Sequence, residues 1–154
     1  MIEEDAIKLE LISEKIEEAW RVSWKMFFRE ETFLFYNYLT IYDPAKCLNH
    51  LPTQAEVVAC MPNPCGWGTG MEDSMINAGT IISMICDRFE VTKDEAMRQY
   101  ATDVFKGMVS CAEVHGVKGF IARSVCLFDG KSVYADSSRD HGVDMSISGE
   151  VGHS

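Results

Sequence analysis

The stretch Pro62–Thr80, PNPCGWGTGMEDSMINAGT, sets glycines, a tryptophan and two adjacent carboxylates directly ahead of an apolar run. Met75, Ala78, Gly79, Ile82, Cys86 and Phe89 recur at helical spacing, and Ile76, Ile81 and Ile85 make much of the remaining surface apolar. The pattern predicts a largely buried helix from about Met71 to Phe89. Thr69 and Glu72 have the spacing of a capping box at its start, which explains Glu72. Asp73 is left over. An ionised carboxylate on a helix that is apolar nearly all round is costly unless it meets a partner or a polar pocket. We therefore expect Asp73 to contact Arg123 or Arg139, or to open onto a polar cavity.

Two readings of this helix mouth stand side by side. In the plain one, Glu72 closes the capping box and Asp73 complements the helix dipole. In the sharper one the mouth lines a cavity. Trp67 would then offer a flat face for stacking, and the carboxylates would accept hydrogen bonds from hydroxyl groups, as in a sugar site. The dipole favours ionised carboxylates there, which suits base, nucleophile or hydroxyl-binding roles better than proton donation.

Working outward, Thr92 and Glu95 repeat the box spacing. Met97, Tyr100, Ala101, Val104, Met108, Cys111 and Ala112 then form a stripe that Gly116 ends. The two helices make an αα-hairpin. Upstream, Leu9, Ile12, Ile16, Ala19, Trp20, Ser23 and Phe27 share one face of a surface helix of about seven turns. The aromatic stretch TFLFYNYLTIYDP either extends that helix or leaves it. Residues 43–70 hold all 4 prolines and read as a long loop, with a short helix begun by Thr53 and Glu56. Loops of this length usually carry function. Asp129-Gly130, flanked by Val, Phe and Tyr, signals a two-residue β-hairpin that would set Arg123 opposite Asp136. Ser137–Asp140 is a polar cluster, either a solvated turn or a binding element.

Composition narrows the function classes. The 154 residues make one domain, and 47% hydrophobic with 25% charged residues is globular. A formal charge of −10 without a Lys/Arg cluster argues against nucleic acid. No apolar run reaches the roughly 20 residues a bilayer crossing needs, and the acidic, amphipathic N-terminus is unlike a signal peptide. The 6 cysteines are spread singly, unlike a disulfide framework. Cys60 and Cys65 supply at most half a zinc site, so free thiols, no metal and no cofactor are expected. His50, His115, His141 and His153 share no catalytic spacing.

LPTQAEV, PNPCGWGTGMEDSMINAG, GFIARSV, FDGKSVY and SSRD follow one another from about Leu51 to Asp140. In this order they resemble the six-hairpin, glycosidase-like (α/α) toroid proteins of bacteria. The resemblance implies a mainly α fold: helical hairpins of an incomplete (α/α) toroid with one small β-hairpin. Residues 1–140 would form the partial domain and residues 141–154 a disordered or irregular tail. It implies a carbohydrate-handling cleft faced by Trp67, Glu72, Asp73, Arg123, Arg139 and Asp140. In related toroid hydrolases carboxylates do the acid and base work, which makes Asp73 and Asp140 the catalytic candidates. Trp67, Glu72, Arg123 and Arg139 are then the substrate-binding ones.

The family pattern continues past SSRD with a glutamine and further hairpins, whereas His141 and an unrelated tail follow here. The chain therefore looks like the first third of such a protein, with most of the cleft missing. The alternative is a non-enzymatic helical module that binds protein. Either way, a partial toroid leaves flanks open. We expect a homodimer through the Phe33–Tyr42 stretch or the outer face of the Met71 helix, where Ile81 and Ile85 lack cover.

Overall fold

The computed structural model describes residues 2–37, 39–61 and 68–134, with side chains from residue 5 onward. Among these residues the chain is mainly helical, with four helices and one small antiparallel sheet. Helix α1 spans Ile2–Met26. Strands β1 (Phe28–Arg29) and β2 (Leu34–Phe35) follow at once, so the aromatic stretch leaves the helix. They pair with Phe28 opposite Phe35 and Arg29 opposite Leu34. Phe33 closes the turn with a left-handed φ of 58° and an N–H bond to the Arg29 carbonyl (2.8 Å). Helix α2 (Gln54–Val58) begins at the expected capping box. Thr53 accepts the Glu56 N–H, and the Glu56 carboxylate reaches back to the Thr53 backbone (2.7 Å).

Helices α3 (Ser74–Thr92) and α4 (Ala96–Glu113) pack side by side as the expected αα-hairpin. Their starts differ from the sequence expectation. Helix α3 opens at Asp73 as N-cap, four residues past Thr69, so Thr69 is not the residue that caps this helix. Thr92 still belongs to α3, its hydroxyl bonded to the Arg88 carbonyl (2.8 Å), and Lys93 at φ 55° ends that helix. Asp94, not Thr92, then accepts the Ala96 N–H (2.9 Å) at the head of α4. Gly116 does terminate the second helix, at φ 65°.

The β-hairpin expected at Asp129-Gly130 is absent among the described residues, and the sheet lies at β1–β2 instead. Cys126 N–H meets the Ser132 carbonyl (2.8 Å), which shifts the turn by one residue. The reason is local. The Asp129 carboxylate accepts the N–H groups of Lys131 (3.0 Å) and Ser132 (2.9 Å), so the side chain itself takes the place of a ladder partner. Asp136 and the expected tail fall outside the described residues.

One core joins Met75, Ala78, Ile82 and Ile85 of α3 to Met97, Val104, Met108 and Cys111 of α4. Against it lie Leu34, Phe35 and Tyr36, then Leu48, Leu51 and Val57 of the long loop, and Ala122, Val125 and Cys126. Each fully buried side chain of this size contributes roughly 1.5–3 kcal/mol. Tyr36 sews the hairpin to the C-terminal segment. Its hydroxyl donates to the Val125 carbonyl (2.7 Å) and shares a hydrogen bond with the Thr32 hydroxyl (2.9 Å), while burial pushes its phenol well above the ordinary range. Burial likewise pushes the Cys111 thiol up to about 12.

Cover is therefore distributed otherwise than the sequence suggested. Ile85 is buried, Ile81 is half-buried, and Leu34–Tyr36 sit inside the core. Open apolar surface remains at Ile41, Tyr42 and Met84 within the expected segments, and a further stripe lies on α1, where Leu9, Ile12 and Ile16 keep 68%, 55% and 57% of their area exposed.

One glycine sets how closely α4 approaches the β1–β2 turn. A Cβ on Gly107 would stand well inside van der Waals distance of the Phe33 carbonyl oxygen, which is backbone and cannot swing aside. Helix propensity alone would favour alanine there by about 1 kcal/mol. The contact reverses the sign, and we expect Gly107→Ala to destabilise the protein by about 1–3 kcal/mol in urea unfolding. A stabilised variant would show that α4 does not press on the β1–β2 turn.

Candidate functional site

The site is built where the exit of β2 meets the head of α3. Asn37 follows Tyr36, and its N–H bonds to the Gly70 carbonyl (2.9 Å). Gly70 holds φ 94°, a conformation that only glycine adopts without strain. A Cβ there would also crowd Leu51, the His50 ring and the Asn37 carbonyl. This contact carries Asn37 to Asp73. The Asn37 side-chain amide donates to Asp73 Oδ2 (2.8 Å), and the Asn77 amide in turn donates to Asn37 Oδ1. Asn77 stands one turn beyond Asp73, its own N–H bonded to the Asp73 carbonyl (2.8 Å).

Arg123 approaches from the C-terminal segment. Its Nε donates to the Glu72 carbonyl (2.9 Å), and its Nη2 lies 3.6 Å from Asp73 Oδ1. The Met75 N–H bonds to the Arg123 carbonyl (3.2 Å), and beside it the Ser74 and Ser124 hydroxyls meet at 2.7 Å in the core. The segment is thus clamped to the start of α3 by backbone and side chain together. The ion pair is about one-third exposed on each side, so its worth lies in placement more than in energy. Asp73 makes no side-chain cap bond to its own helix because its carboxylate is turned toward Asn37 and Arg123.

A cleft of about 440 Å³ opens over this row. Its polar side is Ser23, Asn37, Asp73, Asn77 and Thr80. Its apolar side is Phe27, Phe35, Tyr36 and Ile81. An apolar wall with a few fixed polar groups, at this size, is the form of a small-molecule site. The carboxylate accepts hydrogen bonds and the two amides both donate and accept, which fits a ligand with adjacent hydroxyls.

Asp73 and Arg123 therefore meet as the sequence implied. Glu72 contributes its backbone carbonyl to Arg123, and its side chain does not line the cleft. Trp67, Arg139 and Asp140 lie outside the described residues. Asn37 and Asn77 were not singled out from the sequence. Asn77 and Thr80 follow Asp73 at i+4 and i+7, a polar row on an otherwise apolar helix that would have betrayed them. Asn37 left no such signal, because the Gly70 contact that delivers it crosses 33 positions of chain. Among the described residues no group of three or more His, Cys, Asp or Glu converges as metal ligands would, and no helix is long and apolar enough to cross a membrane.

The Asn37–Asp73 contact sets a pH signature. Asn37→Asp places a second carboxylate against Asp73, and mutual repulsion raises the proton affinity of the pair in the folded state. A raised folded-state pKa contributes stability at low pH that is lost as pH rises through it. The penalty in urea unfolding should be larger at pH 7 than at pH 4. An equal penalty at both would mean that the two side chains do not face each other.

No family model matches this chain, and no curated protein or solved structure matches it either.

Proposed function

We propose that this chain is the N-terminal portion of a carbohydrate-active (α/α) toroid, and that it binds sugar in the Asp73 cleft. The observation that carries the reading is the row Asn37–Asp73–Asn77 set beside Phe27 and Phe35 in one cleft. Planar amides and a carboxylate bond to neighbouring hydroxyls, while the aromatic wall packs against the C–H face of the ring. Glycoside hydrolysis needs two carboxyl groups roughly 5–10 Å apart across the bond. Asp73 is the one carboxylate lining this cleft among the described residues, and Asp140 is the second in our reading. Binding is accordingly the activity we assign to this cleft.

A glycan array followed by calorimetry tests it. Binding of a neutral glycan with a Kd of about 1 mM or tighter is expected. Asp73→Asn and Asn37→Ala should each weaken it at least tenfold, about 1.4 kcal/mol. A blank array, or affinities unmoved by both substitutions, sinks the assignment.

The exposed stripe Leu9–Ile12–Ile16 favours a second reading, a helical interaction module that pairs with a copy of itself. A two-fold antiparallel pairing through α1 would cover all three side chains at once and oppose the two helix dipoles. Sedimentation equilibrium at micromolar concentration should give a dimer that Ile12→Glu with Ile16→Glu converts to the 17.3 kDa monomer. A wild-type monomer removes this reading and leaves the sugar cleft untouched.

A further inference from the structure

The polar side of the Asp73 cleft is short of donors, and the carboxylate itself is the reason. An ionised Asp73 only accepts, so the Asn37 amide must turn Nδ2 toward it (2.8 Å), which leaves Asn37 Oδ1 to take the Asn77 Nδ2. Each amide thereby spends one of its two N–H groups inside the row, and Asn77 Oδ1 has no partner among the described residues. The two hydroxyls are spent in the same way. Ser23 donates to the Ala19 carbonyl (2.8 Å) and Thr80 to the Ile76 carbonyl (3.1 Å), each one turn back on its own helix. Both then have only lone pairs left to offer a ligand.

What remains is a carboxylate, an amide oxygen and two hydroxyl oxygens, against the second N–H of each amide. A hydroxyl group brings one hydrogen and two lone pairs, so it asks for at least as much donation as it gives. An anion asks for donors alone and would face Asp73. An ammonium group brings three hydrogens and no lone pair, the complement of this set. Charge points the same way, since a formal −10 favours the approach of a cation. Arg123 does not line the cleft, and its Nη2 stands 3.6 Å from Asp73 Oδ1, beyond hydrogen-bond reach, so the carboxylate keeps lone pairs for a second cation. A short carbon skeleton packs on Phe27 and Ile81, both half-buried in the apolar wall. We propose that the Asp73 cleft holds a small primary alkylammonium ion, with Asp73 as counter-ion and the Ser23, Asn77 and Thr80 oxygens as acceptors around it. The inference rests on the reading of this cleft as a ligand site and names the group that the site selects.

The test titrates n-butylammonium chloride at about pH 7, where the amine is charged, and follows the side-chain amide signals of Asn37 and Asn77 by NMR. Both signals should shift, with a Kd of about 1 mM. The controls are n-butanol, which has the same heavy-atom skeleton without the charge, and butyltrimethylammonium, which has the charge without an N–H. Each should bind at least tenfold more weakly. Ser23→Ala with Thr80→Val removes two acceptors and leaves the Asn37–Asp73–Asn77 row in place. It should weaken n-butylammonium at least threefold while the backbone spectrum stays that of the folded chain. The proposal is overturned if n-butylammonium leaves both side-chain signals still, if butyltrimethylammonium binds equally well, or if the double variant binds as wild type. A glycan that binds in the cleft where n-butylammonium does not would overturn this inference and leave the proposed function standing. Binding of n-butylammonium beside a blank glycan array would do the reverse.

Discussion

The bond from Asn37 to Gly70 is the contact on which the site depends. It fixes the strand leaving the aromatic hairpin against the loop entering α3, two segments that share no helix or sheet. Gly70 makes it possible twice over, through its left-handed φ and through the absence of a side chain where Leu51 and His50 press in. With that contact made, Asn37 reaches Asp73, Tyr36 turns into the core, and the cleft has both a polar and an apolar wall.

Asp73 illustrates how a helix start can be given to a site. An aspartate at an N-cap ordinarily accepts an N–H of its own first turn. Here Asn37 and Arg123 take the carboxylate, and the head of α3 is secured through Ser74 to Ser124 and through Met75 to the Arg123 carbonyl. Tertiary contacts replace the local cap and leave the carboxylate facing the cleft.

The regular parts of the fold were legible because periodicity is local. The length of α1, the apolar stripe of α4, the α2 capping box and the Gly116 stop all followed from spacing within a few residues. The misreadings share one cause. Thr69, Thr92 and Asp129-Gly130 each carried a valid local signature that another partner claimed first: a later N-cap, the Arg88 carbonyl, and the Asp129 side chain itself. In the site, the cost of a carboxylate on an apolar helix pointed to the Asp73–Arg123 pairing. Asn37 was invisible because only the folded chain brings it there.

The bond from Tyr36 to Val125 closes a loop of 89 residues. During synthesis at roughly 5–20 residues per second, the hairpin waits on the order of 5–20 s for that acceptor to be made. For that interval Leu34, Phe35 and Tyr36 have no C-terminal segment to pack against. The nascent chain then presents an aromatic β-ribbon next to the amphipathic α1, transiently exposed apolar surface of the kind that makes incomplete chains prone to aggregate.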